Sequence, residues 1–300
     1  MSARSIPKPL PKIKPKHGED LYLILDGSQI NDLEKLLYEI EGNPLYLPIY
    51  LNEPWRQLKE VTPCVIRANK SIYDWFISNA SINQGYFFSS QADIETIADS
   101  FRSLIQVQSP YGSNVFFKMA HGEAAKILFQ DKNPDIWKTI GQVWIPTRSG
   151  WYYDENPQDL HNPSGSTIIL NDEQWKKLGQ ISWQNTLEKI ENHLTKWFSE
   201  SLPNVEPAWL QQEAKNAYNK GFSSERDLLL YFNVFGFLGI NALDDTRHAE
   251  IQALINVPSL ETPSQRIQKA SSLAEQYAMQ KILRSKHCDL SESRRAMWRY

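Results

Sequence analysis

The sequence predicts an α+β protein, with an N-terminal α/β lobe built on a mixed sheet and an all-helical C-terminal lobe. Three observations predict it. From Leu21 to about Trp151 short apolar runs alternate with amphipathic stretches; a segment dense in Pro, Asn, Asp, Ser and Gly follows; beyond it only helical periodicity remains. The chain has 300 residues, 41% of them hydrophobic, so it can furnish a sizeable core.

The elements follow in order. Residues 1–18, MSARSIPKPLPKIKPKHG, alternate Pro with Lys and hold no apolar stretch of signal-peptide length, so a flexible basic tail and a cytoplasmic location are expected. Residues 19–150 form the α/β domain. LYLILDG, PLYLPIYL, CVIRAN, GYFFSS and NVFFKM are strand candidates, and INDLEKLLYEI, SIYDWFIS, ADIETIADSFRSLIQV and GEAAKILF are helix candidates. Ser28, Ser71 and Ser90 stand where helix caps are expected. Residues 151–170 are expected to be a linker. Residues 171–290 form the helical lobe, opened by Asn171 with Gln174 three residues on, and residues 291–300 form a basic C-terminal tail. The first long helix places Trp175, Leu178, Leu187, Ile190, Leu194 and Trp197 near one face; Pro207 and Gly221 bracket a second, and Ser224 caps a third. The longest apolar run, 228–239, is too short to span a bilayer, so no stable membrane insertion is expected.

A net charge of −3 argues against a nucleic-acid surface. Cys64 and Cys288 lie far apart without metal-type spacing. The strand ending in Asp26-Gly27-Ser28 invites a phosphotransfer reading, but an aspartyl-phosphate enzyme needs a second acid close behind, where Ser28 stands, and a nucleotide loop needs more glycines. A turn and cap, with Gly27 supplying an unusual backbone angle, is favoured; a phosphate- or nucleotide-handling enzyme using Asp26 is the alternative. His121 and Glu123 are two apart and would not share a helix face; Asp244 and His248 would, with Asp245 able to cap. No catalytic residue, cofactor or metal is assigned. Aromatic residues remain conspicuous, 10 Trp, 13 Tyr and 12 Phe, so Trp144, Trp151, Tyr152 and Tyr153 at the lobe junction and Phe232 and Phe235 in the apolar run are the candidate partner-binding residues.

Several strings, in order, add a resemblance. LYLILDGSQ matches an opening strand-then-LDG/A, KSIYDWFIS a SPLLDWL helix, and GYFFSS a WGIFL strand. FRSLIQVQSPYGSNVFFKMAHGEAAKIL looks like a helix and hairpin ending in FFRFYDPRVL, IGQVWIP like FGPIxxWW, and GFSSERDLLLYFNVFGFLG like GLTTERDVALYLDLMLLLG. This set resembles the domain of unknown function 4123 family, the adaptor chaperones of bacterial type VI secretion. The resemblance implies a non-enzymatic loader that binds a toxic effector, often at an N-terminal or membrane-inserting segment, and delivers it to the trimeric spike. The chain departs from the family where Asp-Pro-Arg is replaced by His121-Gly122-Glu123.

Overall fold

The computed structural model describes residues 4–157 and 167–297, with side chains of the last helix described to Lys281 and at Leu283. Residues 158–166 of the expected linker, residues 298–300 of the expected C-terminal tail and the Cys288 side chain lie outside the described residues. The chain divides into two units, Met1–Ile181 and Ser182–Tyr300.

Unit 1 runs β1 (Asp20–Leu25), α1 (Leu33–Ile40), β2 (Tyr46–Pro48), β3 (Cys64–Arg67), α2 (Lys70–Asn79), β4 (Gly85–Ser90), α3 (Ile94–Arg102), β5 (Gln106–Gln108), β6 (Asn114–Phe116), α4 (Gly122–Gln130), α5 (Pro134–Trp137), β7 (Gln142–Thr147) and β8 (Gly150–Glu155). The main sheet has the order β2-β3-β1-β4-β7-β8, and β5 pairs with β6 in a separate ribbon. Every pair of named strands is antiparallel, a narrower arrangement than the mixed sheet expected.

Side-chain alternation splits the sheet between two cores. Tyr22, Ile24, Val65, Tyr86, Phe88, Val143 and Ile145 face a cluster completed by α3, α4 and α5, while Leu23, Leu25, Ile66, Phe87 and Trp144 face one completed by α1 and α2. Helices on both faces explain why LYLIL is apolar throughout rather than alternating.

The helix starts correct the sequence reading. Asp32 precedes α1; Asn69 caps α2 by accepting from Ile72 N–H at 3.0 Å; Asp93 caps α3 by accepting from Thr96 N–H at 2.7 Å. Ser90 instead braces the turn before α3, accepting from Ala92 N–H at 3.0 Å. Trp151–Glu155, expected to begin a linker, is strand β8, because Trp, Tyr and Tyr paired with β7 outweigh the turn-forming residues that follow.

The Pro/Lys segment, expected to be a flexible tail, lies against unit 1. Ile6 is buried in the cluster with Phe76, Phe87 and Trp144, Ile82 N–H donates to Arg4 O at 3.1 Å, and Trp151 Nε1 donates to Pro7 O at 2.8 Å. Composition set the extended conformation, but Ile6 supplied an apolar anchor that composition does not weigh.

α6 (Asp172–Trp197) crosses the division between the units. Its start is the expected capping box, with Asn171 N–H and Gln174 N–H each donating to the other residue's side chain at 2.8 Å. Trp175 and Leu178 pack in the first core, Leu187, Ile190 and Leu194 in the second, and Trp197 is exposed under the Lys196 ammonium.

Unit 2 continues with α7 (Pro207–Asn219), α8 (Glu225–Leu238), α9 (Ala249–Asn256) and α10 (Pro263–Met297). α10 carries residues 291–297 of the expected tail as helix. Ser224 caps α8 as expected, and Gly221 sits at φ +92° just beyond α7, where a Cβ would be strained. Among the described residues no helix is long and apolar enough to cross a membrane.

Candidate functional site

Asp26 ends β1 at a buried corner. Its Oδ1 accepts from Ser28 N–H at 2.9 Å, its N–H donates to Gln84 O at 2.8 Å, and Gln29 N–H donates to its carbonyl at 3.0 Å. These bonds make a turn of Gly27–Gln29. Gly27 is needed for close approach rather than for the unusual backbone angle expected, since a Cβ there would lie 2.2 Å from Thr62 O. Beside Asp26 opens a cavity of 140 Å³ lined by Ser28, Tyr50, Leu58, Val61, Phe116 and Lys118 among others. That is well below the roughly 300 Å³ at which small-molecule sites begin, and its walls are largely apolar, so the geometry does not favour a nucleotide.

What the corner does present is apolar surface. Leu51, Leu58, Val61 and Phe116 are each 40–51% exposed, and the rings of Tyr50 and Trp55 pack edge-on against Phe116 at 5.5 Å. Sequence reasoning missed this surface. The segment 51–61, LNEPWRQLKEV, has apolar residues without a helical or strand period, which is the signal that it belongs to no regular face; it folds as the 3-10 segment Trp55–Val61 with no residue buried.

His121 and Glu123 open α4 close to the same corner. His121 is buried, and burial, followed by the nearby Arg148 guanidinium, pushes its pKa down to about 4, with the Asp26 carboxylate opposing the shift. The imidazole is therefore neutral at neutral pH. Glu123 makes an ion pair with Arg148 on the β7–β8 turn, and its Oε1 also accepts from Arg148 N–H at 2.9 Å. The position at which the family resemblance places an arginine thus carries the acid of an internal pair, whose arginine comes from another turn. Gly122 lets α4 approach β7, since a Cβ would lie 2.7 Å from the Ile145 side chain.

Each predicted partner-binding residue has a definite place. Trp144 is 2% exposed, against Phe87 and the other residues of the second face. Trp151 and Tyr152 are half-buried on opposite faces of β8; Tyr153 is 49% exposed and 5.7 Å from the Trp144 ring. Phe232 and Phe235 are core residues of unit 2, meeting Trp209 edge-on at 5.7 and 5.2 Å. The reason is that α8 is apolar around most of its circumference and is enclosed by its neighbours. The structure therefore does not bring these six residues together on one surface.

Asp245 caps the turn Thr246–His248 and pairs with Arg247, which with other hydrogen bonds holds its carboxyl well below the usual range. Asp244 lies outside that turn, so it shares no helix face with His248, whose ring stacks on Tyr277 at 5.7 Å. Cys64 is buried and its thiol is pushed up to about 12 by burial. Among the described residues no group of three His, Cys, Asp or Glu could hold a metal ion.

Residues 21–139 match the family described as Domain of unknown function (DUF4123). Accessory protein VasW of Vibrio cholerae serotype O1 is 43% identical over 272 residues, covering 90% of this chain and 92% of that protein. The chain belongs to the DUF4123 family. The family match ends before β7, whereas an aligned stretch of 272 residues is longer than unit 1 and so takes in both units. The corner at Asp26, the 3-10 segment and Phe116 all fall inside the DUF4123 match; the aromatic residues of β7 and β8 fall outside it. The chain matches no solved structure.

Proposed function

We propose that this protein is a cytoplasmic adaptor of a type VI secretion machine, which binds a toxic effector and loads it onto the trimeric spike without catalysing a reaction. An accessory role in type VI secretion is what family membership supports; effector binding and spike loading are the more specific reading. The observation that carries it is the similarity to a protein named as accessory, which runs over nine tenths of both chains and so is not confined to one shared module.

The surface we assign to the effector is the apolar corner of unit 1, for an apolar segment of the effector. Its exposed residues Leu58, Val61 and Phe116 share one cavity rim, and burying them against a partner would stabilise a complex by about 25 cal/mol per Å² of apolar surface.

The test is co-expression with the products of the flanking genes and with the spike protein, followed by affinity capture and size exclusion. A stoichiometric complex with a toxin-like neighbour, and a ternary complex when the spike is added, is the expected result. Stable assembly with the spike in the absence of any effector would instead make the protein a structural subunit, and no complex in any combination would overturn the adaptor reading.

A further inference from the structure

The arm preceding β1 is bound in the way that extended proline-rich ligands are bound by aromatic grooves. Between Ile6 and Lys16 it has neither helix nor strand, and it carries Pro7, Pro9, Pro11 and Pro15 interleaved with Lys8, Lys12, Lys14 and Lys16. A proline presents a carbonyl but no N–H, so such a chain is recognised through carbonyl acceptors and apolar faces rather than by strand pairing.

The receiving surface has that chemistry. Trp151, Tyr153 and Glu155 alternate along β8 and so share one face. The Trp151 indole N–H donates to the Pro7 carbonyl at 2.8 Å, and next to it Ile6 fills the pocket of Phe76, Phe87 and Trp144. At the other end Glu155 meets the Lys16 ammonium at 2.9 Å. Gln142 ties the two together: its Oε1 accepts from Lys16 N–H at 3.0 Å, and its Nε2 donates to Tyr153 OH at 2.8 Å.

The arm is held at separate points rather than buried along its length: Ser5 bridges Ser81, Ile6 is enclosed, and Ile13 packs partly buried against the same cluster. From Arg4 to Lys16 only Ile6 is buried, and Leu10 is 40% exposed. The turn that joins it to β1 contains Gly18 at φ +82°, a conformation natural to glycine and suited to a pivot.

We propose that the β8 face of Trp151, Tyr153 and Glu155, with the Ile6 pocket, is a docking site for an extended, proline-rich, lysine-bearing segment of a partner protein, and that the chain's own N-terminal arm is the resident occupant such a segment displaces. The cis occupant shows which chemistry fits, namely a backbone carbonyl at the indole, an aliphatic side chain beside it and an ammonium at the acid. The site is distinct from the apolar corner at Asp26, and its test uses no effector, so it stands or falls apart from the secretion role.

The probe is a labelled synthetic peptide of residues 4–16, RSIPKPLPKIKPK, titrated by fluorescence anisotropy against the full-length chain and against full-length Ile6→Asp, in which the arm loses its anchor. Ile6→Ala replaces it should circular dichroism show Ile6→Asp unfolded. The peptide is expected to bind the anchor variant, and to bind the unmodified chain at least about tenfold more weakly, because a tethered arm competes at an effective concentration on the order of millimolar. Adding Trp151→Phe, which keeps an aromatic ring and removes the N–H, is expected to weaken binding severalfold, and replacing the four prolines of the peptide by serine to abolish it. Equal binding of the serine peptide, indifference to Trp151→Phe, or no binding to either anchor variant would overturn the proposal. So would a concentration-dependent dimer of the unmodified chain that the anchor variant abolishes, since the occupant would then be the arm of a second copy.

Discussion

Both units bury a core of aromatic residues and leave other aromatic rings exposed, and the enclosed and exposed rings sit on different kinds of element. In unit 2, Tyr231, Phe232 and Phe235 of α8 interlock with Trp209 and Phe222, and all except the half-buried Trp209 are enclosed. Unit 1 buries Tyr86, Phe88, Phe129 and Trp137 in the same manner and leaves Phe116 at 42% and Tyr153 at 49% exposure, while unit 2 leaves Trp197 at 63% and Tyr218 at 52%, at or next to the last residue of α6 and α7. The cause is topological. Helices enclose α8 on most sides, whereas a sheet covered on its two faces still ends in edges, hairpins and a 3-10 segment that no helix covers. Aromatic content therefore does not mark a binding surface: in each unit the enclosed rings lie on elements covered by their neighbours, and exposed ones lie at element ends or on an edge strand.

The contrast can be broken most forcefully in unit 2. Phe232→Ala is expected to cost about 3–5 kcal/mol, as large-to-small changes of buried aromatic rings do, seen as loss of the unit 2 transition in denaturant titration with the unit 1 transition in place. If Phe232 were instead a partner contact, stability would barely change. In unit 1 the corresponding weak point is polar: Glu123→Ala leaves Arg148 largely buried without its acid, which is expected to cost about 3 kcal/mol, measured by the same titration, with Glu123→Gln recovering part of it through the Arg148 N–H.

His121 sharpens the comparison through pH. Its pKa in the folded chain is about 4 against an ordinary 6.5, so above pH 6.5 both folded and unfolded forms are neutral and nothing is lost. As pH falls from 6.5 towards 4 the unfolded chain gains a proton that the folded chain refuses, and stability drops by up to about 3 kcal/mol. Melting temperature followed across that window should fall for the unmodified chain and fall less for His121→Gln. A smaller effect belongs to unit 2: at Gly236 a Cβ would meet the Phe198 ring at 2.5 Å, so Gly236→Ala is expected to cost about 1–3 kcal/mol by overpacking, against the slight gain usual for such a change in a helix.

Much of this was legible in the sequence. The two-part α+β organisation followed from the change of period, and the capping box at Asn171 and the cap at Ser224 followed from residue type and spacing alone, because their bonds are local. The misread caps at Ser28, Ser71 and Ser90 share a cause: each lies within a few residues of Asp32, Asn69 or Asp93, which rank with Ser as caps, so residue type alone does not choose among them. The docked arm and the apolar corner were not legible. Ile6 finds a pocket made from β4, α2 and β7, and Phe116 meets Tyr50 and Trp55 across more than 60 residues, so neither contact leaves a local pattern.

The measurement that tests the central claim most directly is effector capture by the double variant Leu58→Asp, Phe116→Asp. Both side chains are at least 40% exposed, so the variant should fold, at a cost of about 1–3 kcal/mol from the ring contacts of Phe116 with Tyr50 and Trp55. A normally folded variant that no longer captures the effector, while the unmodified chain does, is the predicted result. A variant that captures the effector as well as the unmodified chain does would contradict the assignment of binding to the corner of unit 1.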